Sequence, residues 1–255
     1  MKIIFSRKGF DTKFGGVPSP IIDGVAYSLP IPTGDYPSKS KYRDLNLGDV
    51  LSKVNAKDNL TADSQCHEDP MFWFDRCAFG QVSGAQGVLK NGRVREGDVF
   101  LFFGLFKELT SDDRHHRIFG YLKIDEKCTI DPPTKGEVVW RRLEAQGAPR
   151  RHPHTMSKWD NGGTWQKNNT IYIGHGRKAK KATDFLRLTK PDGPASFWCV
   201  PAWLRNIERT PRAWRWRDDG TLHARVGQEF IVDIEDFPEP KAWRDEIVAV
   251  IETNE

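Results

Sequence analysis

A chain of 255 residues, 38% of them hydrophobic, is long enough to bury a real core as one large domain or two small ones. No apolar run approaches a membrane span, and Met1-Lys2-Ile3-Ile4-Phe5-Ser6-Arg7 lacks the apolar centre of a signal peptide, so membrane-spanning classes are excluded and a cytoplasmic protein is expected. The net charge of +4 conceals an asymmetry: residues 141–217 hold 17 Lys and Arg against 5 Asp and Glu, a net of +12, while the rest hold 22 against 30, a net of −8.

Lys2-Ile3-Ile4-Phe5 reads as a buried strand that stops at Ser6-Arg7-Lys8-Gly9-Phe10-Asp11, with Gly15-Gly16 and Pro18-Ser19-Pro20 following. Loops at strand ends are where rigid scaffolds place working residues. This one could hold a phosphate or sugar through Ser6, Arg7, Lys8 and the backbone of Gly15 and Gly16, and present Asp11 to it. It could equally be a polar turn. Residues 25–32 predict a second strand, and residues 42–54 a helix with apolar positions Leu45, Leu47, Val50, Leu51 and Val54. Residues 56–70 are loop-like and carry Cys66-His67-Glu68-Asp69-Pro70; residues 79–89 predict a short helix containing Gln81 and Gln86. After the turn Arg95-Glu96-Gly97-Asp98, the wholly apolar residues 99–106 predict a strand buried on both faces. Residues 118–124 return as its partner, a hairpin that resembles those of small PUA-like β-barrels; that resemblance implies contact with RNA or altered bases.

Further strands are predicted at 169–174, 185–188 and 228–234, a hairpin around Asp218-Asp219-Gly220, and a closing helix at 240–251. No repeat, linker or clean boundary interrupts the chain, so one domain across 1–255 is expected. The class is α+β: a strand-rich mixed sheet or partly open barrel with the PUA-like hairpin and a C-terminal helix.

The basic segment also contains Trp159, Trp165, Trp198, Trp203, Trp214 and Trp216. Cations neutralise phosphates and aromatics stack on unpaired bases, so a DNA-binding surface is expected here, although several tryptophans must be core. The candidates are Arg150, Arg151, Arg177, Lys178, Arg212 and Arg215, with Arg114 upstream beside His115-His116.

Two clusters can carry chemistry. His67-Glu68-Asp69 and His152-Pro153-His154 could together supply four metal ligands, because alternate residues of an extended segment face the same way. They also suit proton transfer beside a sugar or base, and that reading is preferred. No metal or other cofactor is expected. The four cysteines form no CxxC pair, and no P-loop, Rossmann fingerprint or G-x-S-x-G is present, which argues against NTPase, hydride-transfer and α/β-hydrolase chemistry.

The same motifs, with Gly97-Asp98-Val99-Phe100, Asn169-Thr170-Ile171-Tyr172 and Gly227-Gln228-Glu229-Phe230, resemble the third family of nucleotide modification associated domains nearly end to end. The resemblance implies a prokaryotic or phage protein linked to hypermodified DNA bases. It fixes neither the reaction nor a catalytic residue. The expectation is a DNA glycosylase that removes a hypermodified base, an antiviral defence. Asp11 is the first candidate for the catalytic carboxylate, Asp69 the second, with His67 beside it; Phe10, Gln81, Gln86, His152, His154 and Asn169 would contact substrate. The alternatives are a non-catalytic reader of modified bases and a transferase.

Overall fold

The computed structural model describes residues 1–33, 38–131, 134–156, 168–207, 209–210, 215–224 and 229–253. Its strands are β1 (Lys2–Arg7), β2 (Ser19–Ile22), β3 (Val25–Ala26), β4 (Met71–Trp73), β5 (Arg76–Gln81), β6 (Val99–Glu108), β7 (His115–Thr129), β8 (Thr170–His175), β9 (Phe197–Trp198), β10 (Arg209–Thr210), β11 (Arg215–Trp216), β12 (Leu222–His223) and β13 (Glu229–Asp233). The helices are α1 (Gly48–Ser52), α2 (Ser83–Asn91), α3 (Thr134–Ala145) and α4 (Pro238–Thr253).

The architecture is α+β. A curled, open, ten-stranded mixed sheet runs in the order β10-β13-β1-β6-β7-β8-β5-β4, with β2 and β3 attached beside β6, and β11-β12-β9 form a small second sheet. β6 is the axis. Its first half pairs in parallel with β1 (Ile3↔Val99 to Arg7↔Phe103) and its second half with β2 (Ser19↔Phe106). The opening loop is therefore the excursion the chain makes between two strands that share one edge of β6. Gly104 sits at that departure: a Cβ there would come within 2.8 Å of the Lys8 carbonyl oxygen, so a larger residue would push the loop away.

The apolar run at β6 is buried on both faces, as continuous apolarity requires. Val99, Leu101 and Phe103 enter one core with Phe5, Trp198, Trp203 and, from α4, Ile247 and Ile251; Phe100, Phe102 and Phe106 enter the other with Ile4, Phe79 and Tyr172. A third core lies under α3, and a fourth (Phe10, Leu29, Tyr42, Leu47, Val50, Leu51, Cys66) fills the lobe around the opening loop.

Several elements differ from the sequence reading. The helix expected at 42–54 is a 3-10 turn, Tyr42–Leu45, then α1, because Asn46 takes a left-handed conformation (φ 56°) between them. The helix expected at 79–89 starts late: residues through Gln81 extend β5, pairing with β8, and α2 begins at Ser83. Residues 25–32 are strand only at Val25–Ala26, and Asp184–Leu186 is a 3-10 turn. Helix α3 was not read from the sequence at all.

His115 and His116, expected among loop cations, are buried in β7; Trp198 Nε1 donates to His116 Nδ1 at 3.0 Å. Burial, reinforced by Arg117 and Arg187, lowers His115 to about 4, and burial with Arg7 lowers His116 to about 3. Between those values and an unfolded pKa of about 6.5 the unfolded chain binds protons that the folded chain refuses, so stability is full above that window and falls with pH. Relative to pH 8, each histidine is expected to have removed about 2 kcal/mol by pH 5, about 4 kcal/mol for the pair. Urea midpoints measured across this range check it; a flat profile would contradict the burial of the pair.

Candidate active site

The two histidine motifs, 85 positions apart in sequence, meet at one carboxylate. His67 and Asp69 lie on an extended segment anchored by His67 N–H to the Ile31 carbonyl (2.8 Å), so both point one way and Glu68 the other. His152 is the N-cap of a 3-10 helix, Pro153–Thr155, and its Nδ1 accepts the His154 backbone N–H at 3.2 Å. Asp69 Oδ1 accepts the Gly80 N–H at 2.9 Å and faces His152 Nε2 at 3.3 Å; Oδ2 faces His154 Nε2 at 3.5 Å and His67 Nε2 at 3.8 Å. Gly80 is what admits His154 to this position, since a Cβ there would clash with the imidazole ring. Burial acts to raise the Asp69 pKa, but interactions with His152, His154 and His67 outweigh it and hold the carboxyl well below its ordinary value. Burial lowers His67, partly offset by Asp69, so it is neutral near pH 7.

Asn169 orients this group. Its Nδ2 donates to the His154 carbonyl at 2.8 Å, which turns Oδ1 toward His154 Nδ1 at 3.0 Å. The ligand-capable atoms of His67, Asp69 and His154 all lie within 4.8 Å of one another, the geometry of a set that could hold a metal ion.

Asp69 also lines a cavity of about 260 Å³. The walls combine the rings of Phe72 and Phe119 with Lys8, Lys178, Arg150 and Glu68, and the turn 44–47 closes one side. Arg150 grips Glu68 with two bonds, Nε–Oε2 at 2.8 Å and Nη2–Oε1 at 2.7 Å, and Ser40 Oγ donates to the same Oε2 at 2.5 Å. This fork raises the Arg150 pKa.

A second buried group lies beyond Lys8. Glu229, opposite Ser6 in the β1–β13 register, accepts Ser6 Oγ at 3.2 Å and Gln81 Nε2 at 2.5 Å, and Lys8 Nζ approaches it at 3.5 Å while lying 4.4 Å above the Phe79 ring. Strand β5 thus links both groups: Gly80 N–H serves Asp69 and Gln81 serves Glu229.

The other sequence candidates are placed differently. Asp11 caps its own loop, accepting Lys13 N–H (2.7 Å) and Phe14 N–H (2.8 Å) and pairing with Arg7 (3.2 Å); it does not line the cavity. Phe10 is fully buried in the fourth core, packed where Gly15, at φ +74°, leaves no Cβ. Gly16 accommodates the Lys57 stem in the same way. Gln86 is bonded to the Tyr172 hydroxyl inside the second core. Trp198 and Trp203 are core residues, and the side chain of Trp216 lies under the Arg205 guanidinium. Arg151 pairs with Glu137 at 3.1 Å. Arg114, Arg177 and Arg215 are exposed. Arg212, Trp159, Trp165 and Trp214 lie outside the described residues. Glu229 and the cavity turn 44–47 were missed; an isolated acid and a polar turn carry no spacing signal.

A family model described as nucleotide modification associated domain 3 matches residues 2–233, nearly the whole chain. The chain belongs to this family. The match takes in both histidine motifs, Asn169, Lys178 and Glu229, every residue of the two buried groups, and stops before α4. Neither the curated proteins nor the solved structures yield a match. Membership in the nucleotide modification associated domain 3 family ties the chain to nucleotide modification. Among the described residues no helix is long and apolar enough to cross a membrane.

Proposed function

We propose that this protein is a DNA-binding enzyme that hydrolyses the N-glycosidic bond of a hypermodified base, acting in the cytoplasm against foreign DNA. The observation that carries the reading is the juxtaposition of Asp69, ionised among three imidazoles, with a cavity that has aromatic and charged walls. A volume of about 260 Å³ suits one extruded nucleotide base; it lies just under the roughly 300–1,000 Å³ of drug-sized sites. Phe72 and Phe119 offer stacking, and the Glu68–Arg150 fork and Lys178 offer polar recognition. In the reaction water adds to the anomeric carbon as the C–N bond breaks. The base departs with the bonding pair and takes up a proton. The Asp69 charge stabilises the oxocarbenium-like sugar, and the histidine group accepts the proton from water.

A reader of modified bases would use the same cavity but has no need of three imidazoles around a carboxylate. A transferase would need a donor site, and no donor-nucleotide motif is present in the sequence. DNA carrying hypermodified bases, incubated with the protein and then treated with alkali, should break at the modified positions. Unmodified DNA should stay intact. Binding without breaks would favour the reader.

The segment 176–181 supports a DNA path beside the cavity. Lys178 lines the cavity, Ala179 is buried, and Arg177 and Lys180 are exposed to either side. Arg177→Glu with Lys180→Glu should weaken DNA binding regardless of sequence. The slope of log K against log salt should fall by about 0.9 per lost phosphate contact on duplex DNA. Filter-binding titrations at several salt concentrations check this; an unchanged slope would move the DNA path elsewhere.

A further inference from the structure

We propose that His67, Asp69 and His154 form a binding site for one divalent transition-metal ion, a two-histidine, one-carboxylate set whose Asp69 also lines the cavity. Three observations converge on it. The first is spacing. Asp69 Oδ2 lies 3.5 Å from His154 Nε2 and 3.8 Å from His67 Nε2. Those separations are long for hydrogen bonds. They are close to the edge of a tetrahedron around a metal at 2.0–2.1 Å, which is about 3.3–3.4 Å.

The second is the proton inventory. The Asn169 amide is oriented by its bond to the His154 carbonyl, so its oxygen receives a proton from His154 Nδ1. In a neutral His154 the nitrogen facing Asp69 is then a bare lone pair opposite a carboxylate oxygen. Two acceptors aimed at each other are satisfied by a cation between them. An outer amide that fixes the histidine tautomer in this way is the usual second layer of a metal site.

The third is the contrast with His152. Its Nδ1 accepts the His154 N–H, so its proton is on Nε2, which points at the other oxygen, Asp69 Oδ1. His152 therefore faces Oδ1, which the Gly80 N–H holds, and Oδ2 is left to the ion. Imidazole and carboxylate donors together suit zinc, iron, cobalt or nickel rather than magnesium or calcium. The site is the one assigned above to hydrolysis. With an ion bound, His67, Asp69 and His154 would be its ligands, and the ion would supply Lewis-acid activation of water in place of the metal-free roles given to Asp69 and the histidines above. The binding claim does not depend on the hydrolytic reading, and its test uses no DNA.

Full-length protein dialysed against chelator and titrated with Co²⁺ should show visible d–d absorption saturating at one equivalent. His67→Ala and His154→Ala should each weaken binding at least about a hundredfold, and Asn169→Ala by about 10–100-fold. His175→Ala, remote from the cluster, should bind as wild type. Should a cluster variant fail to fold, ¹⁵N spectra of wild-type imidazoles with and without Zn²⁺ carry the test: the Nε2 resonances of His67 and His154 should shift, and that of His152 should keep its proton. No stoichiometric Co²⁺ binding by wild type, or binding that survives in folded His67→Ala and His154→Ala, would overturn the site and leave a protonated histidine–aspartate cluster.

Discussion

Asp69→Asn is expected to lower base release at least about a hundredfold while leaving the protein folded, the scale seen when a positioned acid–base or electrostatic group is removed. The substitution keeps the acceptor for the Gly80 N–H. It places an amide nitrogen opposite His154 Nε2, to which it can donate, so the pocket retains its shape. What disappears is the negative charge beside the sugar. The melting temperature should stay within about 4 °C of wild type, roughly 1 kcal/mol for a chain of this size. The same assay on Asp11→Asn compares the two carboxylates named from the sequence. Asp11 bonds two backbone N–H groups of its own loop, so its substitution should act on stability, with base release following the folded fraction. Near-normal release by folded Asp69→Asn, with release lost in folded Asp11→Asn, would transfer the catalytic role to the opening loop.

The second large effect is on stability. Arg150→Ala should lower the free energy of unfolding by about 3 kcal/mol, because it strands a buried carboxylate. Glu68 is only 7% exposed at the side chain, and without Arg150 its remaining hydrogen-bond donor among the described residues is Ser40. The Arg150 side chain is 24% exposed, which sets the expectation at the low end of the range for breaking buried pairs, about 3–5 kcal/mol. Adding Glu68→Gln to Arg150→Ala should recover at least half of the loss, since the uncompensated charge is then gone. Urea unfolding of the two variants measures both. A wild-type midpoint for Arg150→Ala would mean that the pair is solvent-screened and that Arg150 is available to DNA phosphates.

The features that were legible in the sequence are those with a local signature. β6 announced itself because eight consecutive apolar residues leave no solvent face. The C-terminal helix showed its buried stripe at Ile247 and Ile251. In the structure the H-x-D and H-x-H motifs each bring both of their residues to Asp69, the first along an extended segment and the second through a 3-10 helix capped by His152 rather than an extended one. That the two motifs share a single carboxylate is a tertiary fact. It depends on β5 carrying Gly80 between them, and a glycine's value as empty space is invisible without the ring that fills it.

The opening loop misled for a related reason. Ser, Arg, Lys, Gly and Asp are the vocabulary of phosphate sites and equally of turns. Asp11 spends its oxygens on its own turn, and Phe10 is core, while Ser6 and Lys8 are tied to Glu229 more than 200 positions away. Charge counting had the same blind spot. The basic excess of residues 141–217 includes Arg150 and Arg151, whose guanidinium groups have internal carboxylate partners, and Trp198 and Trp203, which belong to the core. Composition reports how much charge a segment has and says nothing of how much of it is already neutralised.

Base release from DNA in the cavity beside Asp69 can be measured directly. The direct measurement is mass spectrometry of the small-molecule fraction after incubating the protein with DNA that carries hypermodified bases. The expected product is the free modified base, in amounts equal to the abasic sites left in the strand, and it should be lost with Asp69→Asn. Modified DNA that is bound and recovered whole, with no free base at any protein concentration, would contradict it.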